Sequence, residues 1–165
     1  MSPNPTNDPK AADTSTADGG LSEQERAAIK DRAKELKTQA KRSKSGEKAA
    51  AKAAADEADL LAKIEQMPAG DREMAERLHS IVASVAPDLA PKLYYGQPGY
   101  AQKGKVICFF RSGEMDKARY STFGFSPQAA LDNPDGFWPT SYALQNPSEA
   151  AWEAIAELIR SATAD

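Results

Sequence analysis

The sequence has 165 residues, 41% of them hydrophobic, and a formal net charge of −3 at pH 7. This length allows one domain with appendages, and its one cysteine, Cys108, excludes an intrachain disulfide and a thiolate metal cage. Apolar runs fall short of the ~20 residues that a membrane helix needs, and residues 1–20 lack the pattern of a secretory signal, so we expect a cytoplasmic protein without membrane association.

Charge is unevenly distributed along the chain. Residues 21–56 carry ten Lys/Arg against six Asp/Glu, whereas residues 57–165 carry ten against fifteen. The basic segment can favour polyanions such as nucleic acid, can be a solvated face, or can dock on the acidic remainder of the chain. Nucleic acid is the least favoured of these three interpretations.

Residues 1–20 are rich in Pro, Asn, Asp, Thr and Gly and have no apolar period. They are predicted to form a disordered tail, because they cannot bury enough surface to offset the entropy of ordering. Residues 21–55 predict a basic, Ala/Lys-rich helical arm, and Ser22 followed by Glu25 matches a capping box at its start. The apolar stripe of the arm has only two large side chains, so packing is expected to hold it weakly. The stripe consists of Ile29, Ala33, Leu36 and Ala40.

Residues 56–165 are predicted to form an α+β domain. A lead-in helix ends in an apolar face, after which Asp71 is expected to N-cap a second helix over about 71–86. At the carboxyl end, Ser148 is expected to cap a final amphipathic helix. The apolar positions of the three helices are Leu60, Leu61, Ile64 and Met67; Met74, Leu78, Ile81, Val82 and Val85; and Trp152, Ile155, Ala156 and Ile159.

Between the second and the final helix, β-branched and aromatic runs are bounded by turn residues, which is typical of strands. The runs are KLYYGQPGYA, KVICFFRS and ARYSTFGFS, with WPTSYALQ as a weaker fourth. QKGK predicts a hairpin turn with Gly104 at its tight position. Short connections imply an antiparallel sheet, and helices at both ends of the domain imply that they cover one face of it. The predicted fold is therefore an α+β two-layer sandwich.

The stretch LYYGQPGYA concentrates three tyrosines. Tyr94 and Tyr95 are adjacent, so in a strand they point to opposite faces. Pro98 cannot donate a ladder hydrogen bond and is expected at an edge or a bulge. The stretch is predicted to be one strand that bends at GQPG and continues through Tyr100. Either the bend only shapes the strand, or it exposes a tyrosine at the mouth of a ligand pocket.

The runs KLYYGQPGYAQKGKVICFF, RYSTFGF and FWPTSYAL, with IEQMPAGDREMAERLHSIV before them, resemble the YdhG-like domain family over about residues 56–163. The shared features are a tyrosine-glycine-X-proline bend, here Tyr95 to Pro98, then a hairpin and a hydrophobic strand. The family is a domain of unknown function, some of whose members are named frataxin-like iron chaperones. The resemblance implies a frataxin-like α+β sandwich and iron as a ligand, and it brings no agreed catalytic residues.

Iron binding of the frataxin type, as the resemblance implies, uses acidic residues of the long helix. The candidates here are Asp71, Glu73 and Glu76, whose carboxylate oxygens suit iron. Arg72 and Arg77 interleave with them, as they do on an ordinary solvated helix face with ion pairs. Both interpretations stay open.

Other residues with useful chemistry are isolated. Glu76 and His79 have the E-x-x-H spacing of di-iron bundles, but the chain has one histidine, so His79 is expected to be a partly buried structural residue. Cys108 lies in an apolar strand, which favours a buried, inert thiol. Tyr95, Tyr100, Arg119 and Trp138 are the candidates for a small-ligand pocket, although Trp138, which precedes Pro139, fits a packed loop anchor better.

Three functions compete. The favoured one is a non-enzymatic binding module that handles iron or a small ligand. The first alternative is a nucleic-acid or protein-interaction adaptor that uses the basic arm. The second alternative, an enzyme with an unrecognised site, has the least support because the residues that commonly supply acid–base chemistry are scattered or single.

Overall fold

The computed structural model describes residues 20–44 and 48–164, so the predicted tail lies outside the described residues except for Gly20. The elements in this part of the chain are α1 Glu23–Lys44, α2 Ala49–Glu65, α3 Ala69–Val85, β1 Ala90–Tyr94, β2 Gln97–Gln102, β3 Lys105–Arg111, β4 Ser121–Phe125, β5 Ser141–Leu144 and α4 Glu149–Thr163. The predicted boundary between arm and domain, at residue 56, falls inside α2. None of these four helices is long and apolar enough to cross a membrane.

The five strands form one antiparallel sheet in the order β1-β2-β3-β4-β5. This confirms the predicted α+β fold with an antiparallel sheet. A two-residue turn connects β2 to β3 at Lys103 and Gly104, where the φ angles are 51° and 80°. The turn predicted from QKGK is therefore confirmed, because positive φ at both positions is the mark of a type I′ hairpin turn.

The core lies between the sheet and helices α2, α3 and α4. The apolar period of each helix brings its large side chains into this layer. The sheet contributes Tyr100, Phe110 and Phe123, each with no exposed surface. The predicted stripes are confirmed except at Leu61, which is 42% exposed. The large buried residues from the helices are Leu60, Ile64, Met67, Leu78, Val82, Trp152, Ile155 and Ile159.

The prediction of a single bent strand at LYYGQPGYA is wrong, because the chain reverses within it. β1 ends at Tyr94, β2 begins at Gln97, and these two residues pair across the turn. Tyr95 and Gly96 form the turn with φ angles of 50° and 81°, the left-handed pair of a type I′ hairpin. Asn-Gly is the usual sequence at such a turn, so Tyr-Gly did not indicate it. This segment is called the Tyr95–Gly96 turn below.

Pro98 lies neither at a sheet edge nor at a bulge. It is fully buried in β2, an inner strand. The pairing of β2 with β3 begins only at Gly99, so the missing N–H of Pro98 interrupts no ladder bond towards β3. The Gln97 side chain continues the contact instead, since its Oε1 accepts a hydrogen bond from the Ser112 N–H. The register shift between β2 and β3 follows Tyr100.

Two of the three predicted helix caps are confirmed. The hydroxyls of Ser22 and Ser148 each accept a hydrogen bond from the N–H three residues further on, at 3.1 and 3.2 Å. Asp71 is not an N-cap, because α3 begins at Ala69 and Asp71 lies in its first turn. From there the carboxylate reaches the loop between β3 and β4.

Candidate functional site

The arm helix α1 lies against the domain through its polar side. Glu35 and Gln39 are partly shielded, whereas Ile29 and Leu36 are 49% and 53% exposed. Gln39 Nε2 donates a hydrogen bond to Asp56 of α2 at 2.8 Å. The arm helix therefore docks on the rest of the chain, while Lys30, Lys37 and Lys41 stay exposed and its apolar stripe faces outward.

The carboxylate of Glu35 joins α1 to the Tyr95–Gly96 turn. Its Oε2 accepts a hydrogen bond from the Tyr95 N–H at 3.0 Å, and its Oε1 accepts one from the Gly96 N–H. Each amide thus has its own oxygen, and charge-assisted hydrogen bonds of this kind are roughly twice as strong as neutral ones. The Glu35 side chain is 10% exposed. Burial raises its pKa, against the opposing effect of the two N–H bonds.

Aromatic side chains complete the contact. The Arg32 guanidinium lies over two rings, 5.1 Å from the centroid of Tyr94 and 5.3 Å from that of Tyr95. The rings themselves meet edge to face at 4.7 Å. Arg32 Nη1 is also 3.7 Å from Glu35 Oε2. The arm therefore presents a cation to the tyrosines and, beside it, an anion to the amides.

Arg111 of β3 holds the turn from within the domain. Its Nη1 donates to the Tyr95 carbonyl oxygen at 3.0 Å, while its Nε and Nη2 donate to the Asp116 carboxylate at 2.6 and 2.9 Å. These bonds help to stabilise Tyr95 in the left-handed region, which is disfavoured by about 1–2 kcal/mol for a residue with a side chain. The two amides are thus positioned by contacts that do not involve α1.

Two clefts meet at the turn. One of about 280 Å³ lies between α1, α2 and β1, and one of about 420 Å³ lies between α1 and the β3–β4 loop. Gly96, Asp31 and Lys63 line both of them. The larger volume lies near the lower end of the range for small-molecule sites, and the smaller one lies just below that range. A small molecule therefore has room beside the two backbone donors.

Replacing Gly96 with alanine is expected to loosen α1 as well as strain its own turn. Gly96 and Gly104 occupy the same position of two similar turns, with φ angles of 81° and 80°, so alanine is disfavoured at both by about 1–2 kcal/mol. A Cβ at Gly96 would lie 2.3 Å from Asp31 Oδ2 of α1 and 3.1 Å from the Asp31 Cβ, which cannot rotate away, whereas a Cβ at Gly104 meets no atom within 4 Å. Hydrogen exchange of the α1 amides measures the difference.

Gly104→Ala is the matched control for the backbone strain. Exchange in α1 is expected to be at least about fivefold faster in Gly96→Ala than in Gly104→Ala, which corresponds to about 1 kcal/mol of lost docking free energy. Equal exchange in the two variants would show that α1 is not seated on the turn.

The four residues predicted to form a small-ligand pocket are not brought together. Tyr95 lies in the turn and lines the larger cleft. Tyr100 is wholly buried and does not reach a pocket mouth, because its hydroxyl lies 3.0 Å from His79 Nδ1 inside the core layer. Arg119 lines a separate cleft of about 270 Å³, and Trp138 is half-buried between β4 and β5. Tyr95 is thus the one of the four that belongs to the candidate site.

His79 and Cys108 have structural surroundings. The two ring nitrogens of His79 lie 3.0 Å from the Tyr100 hydroxyl and 3.3 Å from Glu57 Oε1. Cys108 pairs with Tyr100 across the sheet and has no exposed surface, and burial raises the pKa of its thiol to about 12. The predictions of a partly buried histidine and a buried thiol are confirmed, and the thiol is protonated at neutral pH.

The carboxylates predicted to bind iron have different surroundings. Asp71 accepts hydrogen bonds from two serine hydroxyls at 2.5 and 3.0 Å and from a backbone N–H at 3.1 Å. Glu73 and Glu76 are exposed. Within residues 20–44 and 48–164, no group of three or more His, Cys, Asp or Glu side chains is arranged to hold a metal ion. Iron binding by these three carboxylates stays a prediction.

Sequence patterns do not identify Glu35, Arg32 or Arg111 as site residues. Arg32 and Glu35 resemble an ordinary ion pair on a solvated helix, and the turn that they contact lies 60 residues further along the chain. The one local signal is a glycine beside an aromatic residue between two extended runs, which marks a tight turn.

The resemblance to the YdhG-like family also stays a prediction, because comparisons with models of known families, with curated proteins and with solved structures gave no match.

Proposed function

We propose that this protein is a non-enzymatic binding module that holds a small ligand in the clefts beside the Tyr95–Gly96 turn. The observation that carries the proposal is the pair of turn N–H groups, which the domain positions and which bind the Glu35 carboxylate. The two adjoining clefts supply the volume that a ligand needs. Iron, as the family resemblance implies, is the alternative ligand.

The chemistry of the described residues supports binding rather than catalysis. Cys108 is a buried thiol with a raised pKa, and both nitrogens of His79 have partners. Neither residue lines the clefts beside the turn. The cleft side chains are chiefly charged and polar groups suited to orienting a ligand, among them Lys34, Thr38 and Lys63.

Titration of the isotope-labelled full chain, followed by NMR, tests the proposal. The probes are glucose, spermidine, succinate and inorganic phosphate, so that neutral, cationic and anionic molecules are all represented, with ferrous iron added anaerobically as a fifth. We expect at least one organic or phosphate probe to shift the amide signals of Thr38, Leu93 and Gly96, which line the clefts. No shift at these amides up to about 10 mM probe would contradict the proposal, since useful binding is stronger than this. Iron-induced broadening centred on Asp71 would favour the iron alternative.

A second candidate, a nucleic-acid adaptor, is favoured by the outward charge of α1. Asp31 and Glu35 face the turn, which leaves cations prominent on the opposite side of the helix. Spacings of four and seven residues place these cations on one side, and all of them are exposed. They are Arg26, Lys30, Lys37 and Lys41.

The salt dependence of binding to a short DNA duplex tests this second candidate. The variant Lys30→Gln/Lys37→Gln/Lys41→Gln removes three cations from α1, and Lys103→Gln/Lys105→Gln at the β2–β3 turn is the control. If α1 contacts phosphates, the slope of log K against log salt falls by about 0.9 for each lost contact. Equal slopes in the two variants would exclude α1 as the contact.

A further inference from the structure

We infer that the Tyr95–Gly96 turn is an anion-binding site and that Glu35 occupies it as a tethered stand-in for a ligand bearing a carboxylate or phosphate group. The inference rests on the proposed binding function and names the ligand class of that same site. Glu35 Oε2 and Oε1 stand for two oxygens of the ligand, each accepting one amide hydrogen bond.

The donors have the geometry of an anion cradle. Successive backbone N–H groups in a turn point into a common concavity and carry a fixed partial positive charge. Here both residues of the turn are left-handed, and both amides reach one carboxylate. Any carboxylate or phosphate with two adjacent free oxygens can repeat this pattern.

The donors and the anion belong to different parts of the chain. Arg111 holds the Tyr95 carbonyl oxygen without help from α1. The two carboxylates nearest the Gly96 backbone, Glu35 and Asp31, both come from α1. When α1 moves away, both negative charges leave together. Among the carboxylates that stay with the domain, Asp116 is neutralised by its two bonds from Arg111, and Asp56, on the far wall of the smaller cleft, pairs with Lys52.

The contacts of α1 allow Glu35 to leave the turn and a ligand anion to take its place. The helix is seated by polar groups and by Arg32 over the tyrosine rings, while Ile29 and Leu36 face outward. The large apolar side chains of α1 therefore lose no cover when the helix leaves. Its departure also uncovers the faces of Tyr94 and Tyr95, on which a flat or cationic part of the ligand can stack.

Removing the stand-in carboxylate tests the inference. The full chain with Glu35→Ala is titrated with inorganic phosphate and, separately, with acetate, and the amide signals of Tyr95 and Gly96 are followed by NMR. Glu25→Ala, an exposed carboxylate on the same helix, is the matched control. We expect at least one anion to bind the turn of Glu35→Ala at least about tenfold more tightly than it binds the wild type or the control. Glu35→Gln serves if the alanine variant is poorly folded, because an amide is a weaker acceptor than a carboxylate.

The outcomes separate the ligand sources and the two proposals. A response to phosphate alone assigns a phosphate ligand, and a response to acetate alone assigns a carboxylate ligand. Equal binding in Glu35→Ala and Glu25→Ala, or no shift of the two turn amides with either anion, would overturn the inference. If glucose or spermidine still binds the clefts of the wild type in that case, the broader binding function stands while the anion site fails.

Discussion

Replacing Phe110 with alanine is expected to lower the free energy of unfolding by about 3–5 kcal/mol, the usual cost of truncating a buried phenylalanine. Phe110 has no exposed surface and pairs with Phe123 across β3 and β4, in the layer between sheet and helices. A close-packed interior relaxes only partly around a missing ring, so a cavity remains. Urea unfolding followed by circular dichroism measures the change in midpoint and slope.

Phe137→Ala is the control for removing a phenylalanine ring. Phe137 is 83% exposed, so its truncation is expected to change the free energy of unfolding by less than about 0.5 kcal/mol. If Phe110→Ala were no more destabilising than Phe137→Ala, the core would not lie between the sheet and helices α2, α3 and α4.

Replacing Asp71 with alanine is expected to lower the free energy of unfolding by about 2–4 kcal/mol, because three hydrogen bonds to one carboxylate are lost together. The donors are the hydroxyls of Ser112 and Ser121, at 2.5 and 3.0 Å, and the Glu114 N–H at 3.1 Å. Both serines are buried, so their hydroxyls lose an acceptor where water cannot easily replace it. Asp71 therefore ties the first turn of α3 to the β3–β4 loop.

Glu73→Ala is the matched control for Asp71, since it removes an exposed carboxylate from the same helix. Its free energy of unfolding is expected to stay within about 0.5 kcal/mol of the wild type. Both variants are measured once with a metal chelator and once, anaerobically, with ferrous iron. If Asp71→Ala were destabilising only when ferrous iron is present, the carboxylate would act as a metal ligand rather than as a structural acceptor.

The sequence predicted the parts of the fold that depend on local patterns. The helical period of Leu78 and Val82 and the caps at Ser22 and Ser148 involve residues within a few positions of one another. The Lys103–Gly104 turn is similarly local, because QKGK has a glycine where a positive φ is needed. Strands joined by such short connections have few alternatives to an antiparallel order.

The candidate site could not be predicted in the same way, because it depends on contacts between distant segments. Glu35 meets the turn across 60 residues, and the thin stripe of Ile29 and Leu36 gave no indication that α1 would dock through its polar side. Tyr95 is left-handed although tyrosine rarely adopts that conformation, so the sequence predicts a bend at the point where the chain reverses. Tyr100, which is predicted to share a ligand pocket with Tyr95, lies on β2 after the reversal and has no exposed surface.

Glu35 gives the docking of α1 a pH dependence of defined sign. Burial raises its pKa above the ordinary 4.5, and Asp31 adds to the rise, although the turn amides and Arg32 act in the opposite direction. Ionisation thus costs more in lost hydration than the two amide bonds return, so the docked state binds more protons than the undocked state. Docking is most favourable at pH values below about 4.5 and weakens as the pH rises through the raised pKa. Burial also lowers the pKa of Lys92 in β1, and the charge of Glu35 opposes this effect.

An NMR pH titration of the Tyr95 and Gly96 amide protons tests most directly whether the Glu35 carboxylate is seated on the turn. In the wild type and in Glu25→Ala, both signals are expected to move downfield together as the pH rises, with a midpoint above 4.5, because an ionised acceptor strengthens both hydrogen bonds. In Glu35→Ala this transition is expected to disappear. A transition that persists in Glu35→Ala, or wild-type signals that do not titrate, would contradict the account.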